Sequence, residues 1–114
     1  MAQIMLSLHI ENVDEVAIIE CHGRIIRSEA AFKLREAVVS QKNARVIWLD
    51  LSEVSAIEGG GLGMLIFLQR WAEEQDVQLK LFNPSKPVKH RLEIATTVPC
   101  FEVVASEDVR ALEG

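Results

Sequence analysis

Val46-Ile47-Trp48-Leu49-Asp50-Leu51-Ser52-Glu53-Val54-Ser55-Ala56-Ile57-Glu58-Gly59-Gly60-Gly61-Leu62-Gly63 is the stretch that decides how this chain folds. Its first four residues are an unbroken apolar run, the mark of a strand covered on both faces. Asp50 to Glu58 reads as a loop, with Asp50 expected to anchor it by local hydrogen bonds. The glycines at 59, 60, 61 and 63 then lead into a helix expected over about Leu62 to Gln75. A buried strand, a connection and a helix in that order make half of a parallel βα unit, which points to an α/β fold.

The flanking sequence extends this pattern in both directions. Leu6, Leu8 and Ile10 alternate with Ser7, His9 and Glu11, the period of a strand with one wet face. Asn12 to Asp14 offers a turn, Val16 to Cys21 a second strand, and Gly23 its end, so the chain opens with a hairpin. Ser28 is placed to cap a helix whose stripe is Ala30, Ala31, Leu34, Ala37 and Val38. After the central unit, Val77 to Phe82 reads as a strand and Asn83-Pro84 as its break. Ser85 then caps a helix to about Ala95, Phe101 to Val104 is a last strand, and Ser106 starts a short final helix. The expected architecture is a single mixed β-sheet, an N-terminal hairpin followed by parallel βα units, flanked by about four helices. One domain is expected over residues 1–114.

Composition narrows the function classes. The chain has 114 residues, 49% hydrophobic and 25% charged, with a formal net charge of −5. That is a globular profile, and its acidic balance argues against a nucleic-acid partner, which clustered Lys and Arg would have to hold. Cys21 and Cys100 stand beside apolar runs, away from any CxxC or Cys/His spacing, so both read as structural and no metal or cofactor is expected. Met1 to Ser7 lacks a basic, then apolar, leader pattern. The longest nearly apolar run, Leu62 to Leu68, falls far short of the roughly 20 residues that span a bilayer. A cytoplasmic location without membrane insertion is therefore expected.

The glycine segment invites two phosphate-binding readings, and both fail. A P-loop needs a Lys and a Ser or Thr after its last glycine, and none follows Gly63. A GxGxxG fingerprint would need a small residue at Met64 or Ile66. Glu58 also sets a negative charge where an anion would sit. Asp50 as a receiver-type phosphoacceptor lacks the acidic pair and the later Lys that such a site uses. His9, His22 and His90 are isolated in sequence, no Ser lies in a nucleophile elbow, and no catalytic set emerges. The run Lys86, Lys89, His90, Arg91 reads as a solvated helix face.

Helical projection gives a sharper candidate. Met64, Leu65, Leu68, Trp71 and Ala72 form the inward stripe of the second helix, leaving Leu62 and Ile66 outside it and Phe67 near its margin. Phe32 and Val39 fall on the outer side of the first helix. The candidate partner-binding residues are Glu58, Gly59, Gly60, Gly61, Leu62 and Ile66, with Phe32, Val39 and Phe67 as secondary candidates.

Val46 to Gly63 resembles the central motif of STAS domains, the anti-sigma-factor-antagonist family of bacteria: a strand ending in D-L-S, an aspartate-and-hydroxyl loop, then G-L-G opening a helix. Asn83-Pro84-Ser85 with Val88, Leu92, Glu93 and Ile94, and Gly23-Arg24-Ile25 with Leu34-Arg35-Glu36-Ala37, are similar to flanking parts of the family pattern. The resemblance implies a non-catalytic regulator that binds an anti-sigma factor which is also a serine kinase; a monomer or weak dimer is the expected state. The resemblance also implies a phosphorylatable serine at the helix start. Here that position is Gly59, the preceding aspartate is Glu58, and position 60 is glycine as well. Glycine offers no oxygen to phosphorylate, so the expectation is a docking surface insensitive to kinase control there. Ser52 and Ser55 are the nearby hydroxyls. The alternatives are an accessory or scaffold subunit, as of a lipid-transport ATPase, or a small-ligand sensor.

Overall fold

The computed structural model describes residues 6–26, 28–95 and 102–104. Strands β1 (Ser7–Val13) and β2 (Val16–Ile25) form the expected antiparallel hairpin, closed by a two-residue turn in which Asp14 takes φ 53°. Then come α1 (Ser28–Val39), β3 (Val46–Ile57), α2 (Gly60–Glu74), β4 (Gln78–Phe82), α3 (Lys86–Ala95) and β5 (Glu102–Val104). One mixed sheet runs in the order β1-β2-β3-β4-β5, parallel from β2 onward. Three helices are described. The fourth one expected after Ser106, and Cys100, lie outside the described residues.

The core follows from period-2 alternation along three adjacent strands. Ala17, Ile19 and Cys21 of β2, Ile47, Leu49 and Leu51 of β3, and Leu79 and Leu81 of β4 are buried and share one face. Against them pack Leu34 and Val38 of α1 and Leu65, Leu68 and Ala72 of α2. The alternate residues Ile18, Trp48 and Phe82 are half-buried, and the Trp48 and Phe82 rings lie 5.3 Å apart. The apolar run at 46–49 is thus fully buried on one face rather than both.

Two expectations are corrected here. Asp50 to Glu58 is not a loop, because β3 continues to Ile57. Its far half pairs with β2 through two register shifts, between Glu20 and His22 and between Gly23 and Arg24, each absorbing one extra β3 residue. The bulges convert the inward spacing from two to three, so Leu51, Val54 and Ile57 are the buried residues and the alternation that signals a strand disappears. Gly23 does not end β2; it sits at the second shift with φ 117°, and the strand runs on to Ile25. The anchoring role of Asp50 holds in this setting: its Oδ1 accepts from the Ser52 amide at 3.0 Å and from the Ser52 hydroxyl at 2.7 Å.

The helix starts also differ in detail. Ser28 opens α1 as its first helical residue. The Ser85 hydroxyl donates to the Val54 carbonyl at 2.5 Å and its amide to the Leu51 carbonyl at 3.3 Å. Ser85 therefore ties the start of α3 to the bulged part of β3.

Candidate functional site

The entrance to α2 is built by the end of β2, the end of β3 and three glycines. The Glu58 amide donates to the Ile25 carbonyl at 3.2 Å, which turns the chain out of β3. Gly59 follows with φ 50° and ψ −115°, a conformation that L side chains rarely adopt, and supplies no side-chain cap. The Gly61 amide reaches the Glu58 carbonyl at 3.0 Å and the Gly63 amide the Gly59 carbonyl at 3.2 Å. Backbone alone closes this helix end.

The glycines are not equivalent. Gly61 is buried, and a Cβ there would meet the Ile25 carbonyl oxygen at 2.1 Å, so α2 sits against β2 more closely than any side chain allows. Gly59 and Gly60 are exposed and face open space. The surface at the entrance is thus Glu58, Gly59 and Gly60, while Gly61 supports it from below.

The expected apolar members separate in the same way. Leu62 is half-buried and packs against the core, which places it partly inside rather than outside the stripe. Ile66 is half-buried on the outward side. The most exposed apolar side chains of the first two helices are Phe32, at 58%, and Phe67, at 45%. The Arg35 guanidinium lies over the Phe67 ring at 5.7 Å, linking α1 to α2 where these helices touch. Val39 packs against the core and lines an open groove of about 650 Å³ at the opposite end of α2, with Lys42, Arg45, Trp71 and Gln75.

Two arrangements were not read from the sequence, and a third, at Cys21, agrees with its reading as a structural cysteine. Glu58 forms an ion pair with Arg91 of α3, both partly exposed, so one member of the basic run neutralises the acidic residue at the entrance. Residues 33 apart show no local signal. The His9 ring, Glu11 and Glu20 gather within 4.8 Å on one face of the hairpin, because His9 stands opposite Glu20 in the ladder. The hairpin register could have shown that juxtaposition. Finally, burial pushes the Cys21 thiol up to about 12, with the Asp50 charge adding to the effect, so this cysteine is an unreactive core residue. Of the two nearby hydroxyls, that of Ser52 is engaged by Asp50, and exposed Ser55 donates to the Gly23 carbonyl at 3.3 Å.

The model of the STAS domain matches residues 7–109, nearly the whole chain. The chain belongs to the STAS domain family. Among solved structures, this STAS domain is similar to the anti-sigma factor antagonist SpoIIAA in its unphosphorylated form, with a TM-score of 0.72, 17% identity and coverage of 94% of this chain and 96% of that one. It is also similar to SpoIIAA of Bacillus in its phosphorylated form, with a TM-score of 0.68 and 17% identity, covering 95% of this chain and 100% of that one. A Thermotoga maritima protein assigned as an anti-sigma factor antagonist gives a TM-score of 0.76 at 20% identity, covering 93% of this chain and 92% of that one. At these identities the likeness is one of fold. No curated protein sequence matches the STAS domain closely enough to count as a relative. Among the described residues, no helix is long and apolar enough to cross a membrane.

Proposed function

We propose that this STAS domain is a non-catalytic regulatory module that binds a protein partner through the entrance of α2 and is not switched by phosphate at that entrance. Glu58, Gly59, Gly60 and Ile66 would make the primary contact, with Phe67 and Phe32 at its flank and Gly61 and Leu62 holding the helix in place. The partner is an anti-sigma factor with serine-kinase activity, in the bacterial cytoplasm, by analogy with the antagonists that share the fold.

The carrying observation is Gly59. It sits exposed at the helix start with φ 50° and ψ −115°, where it has no hydroxyl and where a serine would be strained. A phosphoserine at such a position acts by adding about −1.5 to −2 charges to the docking face. The STAS domain lacks the group that would carry them. Ser52 is a poor substitute, because its hydroxyl bonds the Asp50 carboxylate and phosphate there would repel it.

Incubation with ATP and the serine kinase encoded nearest to the gene, followed by intact-mass analysis, tests the unswitched state. No phosphate is expected, and stoichiometric phosphate on any Ser or Thr overturns that part. Binding is tested by titrating the same kinase with Ile66→Glu and Gly60→Arg variants. Both are expected to weaken binding at least tenfold with unchanged thermal stability; unchanged affinity in both removes the proposed surface. Leu62→Glu is unsuitable, since Leu62 packs against the core.

A further inference from the structure

We propose that β1 is a self-association edge, through which two copies of the chain pair antiparallel to form one continuous sheet. β1 stands at the edge of the sheet. It is seven residues long and pairs with β2 without a break in register. Among the described residues, the alternate backbone N–H and C=O groups that such a strand points outward have no ladder partner. Proteins blunt free edges with Lys, Pro, bulges or very short strands. Ser7-Leu8-His9-Ile10-Glu11-Asn12-Val13 contains no Lys or Pro, is not short, and keeps its register with β2 throughout. It also exposes Ile10 at 37% and Val13 at 56%.

The side-chain pattern identifies the occupant as a second copy. A closed pair of identical antiparallel strands is related by a two-fold axis perpendicular to the sheet, so each face stays on its own side. Opposed residues must then share a face, and allowed registers differ by steps of two. The register centred on Ile10 engages the whole strand, Ser7 against Val13 of the second copy. It sets Ile10 against Ile10, and His9 against Glu11 in both directions. Within one chain His9 already stands opposite Glu20, with Glu11 at 3.4 Å. In the dimer the imidazole would lie between carboxylates of two chains. The registers centred on His9 or Glu11 shorten the ladder and oppose imidazole to imidazole or carboxylate to carboxylate, which disfavours them. The complementary register is also the longest one.

A seven-residue ladder is a small interface, so a weak dimer is expected, with a dissociation constant on the order of 100 µM. Sedimentation velocity on the full chain, over roughly 10 µM to 1 mM and with EDTA present to remove metal bridging, should show concentration-dependent dimerisation. His9→Glu should be monomeric throughout, since it opposes carboxylates across the two-fold axis. Glu11→His should also be monomeric or at least tenfold weaker. A 1:1 mixture of these two variants should restore the dimer, because every crossing pair is again His against Glu. Circular dichroism of each variant checks the fold. The proposal is overturned if the parent stays monomeric at about 1 mM, if His9→Glu dimerises like the parent, or if the mixture fails to recover association.

Discussion

Gly61→Ala should destabilise this STAS domain even though it replaces a helical glycine by the best helix former. Propensity alone favours alanine by up to about 1 kcal/mol. The added methyl, however, would lie 2.1 Å from the Ile25 carbonyl oxygen, more than an ångström inside ordinary contact with backbone that cannot swing away, and 2.8 Å from the Ile25 Cγ2. Overpacking of this kind costs about 1–3 kcal/mol. The same oxygen accepts the Glu58 amide at 3.2 Å, so a retreat of the helix also weakens a bond worth about 1 kcal/mol. The net expectation is a loss of about 1–3 kcal/mol, read by urea denaturation as a lower midpoint at unchanged slope. Gly63→Ala is the internal control, since it meets open space within the same helix and should be neutral or stabilising by up to about 1 kcal/mol. If Gly61→Ala proves as stable as the parent, or if both variants lose equally, α2 does not rest on Ile25 and the account of the entrance is wrong.

Gly59→Ser should lose about 1–3 kcal/mol to backbone strain and should not gain phosphate from the kinase, measured by thermal melts and intact mass. Asp50→Ala should cost about 1–2 kcal/mol, because it leaves the Ser52 amide without its acceptor at the first bulge, as a urea series would show. The Cys21 thiol is neutral in the fold up to about 12 but ionises near 9 once unfolded, so the unfolded state binds fewer protons between these values. Its contribution is fully present below about pH 9 and falls by about 1.4 kcal/mol per pH unit above it, a slope that a Cys21→Ala variant should lack in pH-dependent urea melts. Native Cys21 should also resist thiol reagents until denaturant is added.

The parts of the fold that were legible in the sequence are those in which one period governs a whole segment. The stripe Leu65, Leu68 and Ala72 is read correctly because nothing interrupts its spacing, and Val46 to Leu49 is read correctly as a strand, though not as one covered on both faces. The second half of β3 was missed because two bulges replace alternation with a spacing of three, a pattern that belongs to no regular strand. At the entrance, the absence of a hydroxyl was plain from Gly59. The division of labour among the glycines was not, since it depends on how near Ile25 comes. The depth of Leu62 was missed for a related reason: projection assumes that burial is centred on one line, whereas the sheet beneath α2 is wide enough to take in residues at the margin. The Glu58–Arg91 pair needed the tertiary fold itself.

On the proposed reading of position 59 as the phosphosite, its glycine changes the backbone as well as the functional group. A helix that begins with serine is organised around a side-chain oxygen accepting a first-turn amide, in a conformation that any L residue can take. Here the cap is in the left-handed half of conformational space, and backbone carbonyls of Glu58 and Gly59 serve the first turn instead. Glu58 is drawn aside to Arg91 rather than held at the helix end. Building a phosphate switch here would therefore take more than one substitution, because the cap would have to adopt negative φ before a phosphoserine could be seated without strain. On the proposed reading, this exposed helix end offers its partner no charge that a kinase could add or a phosphatase remove.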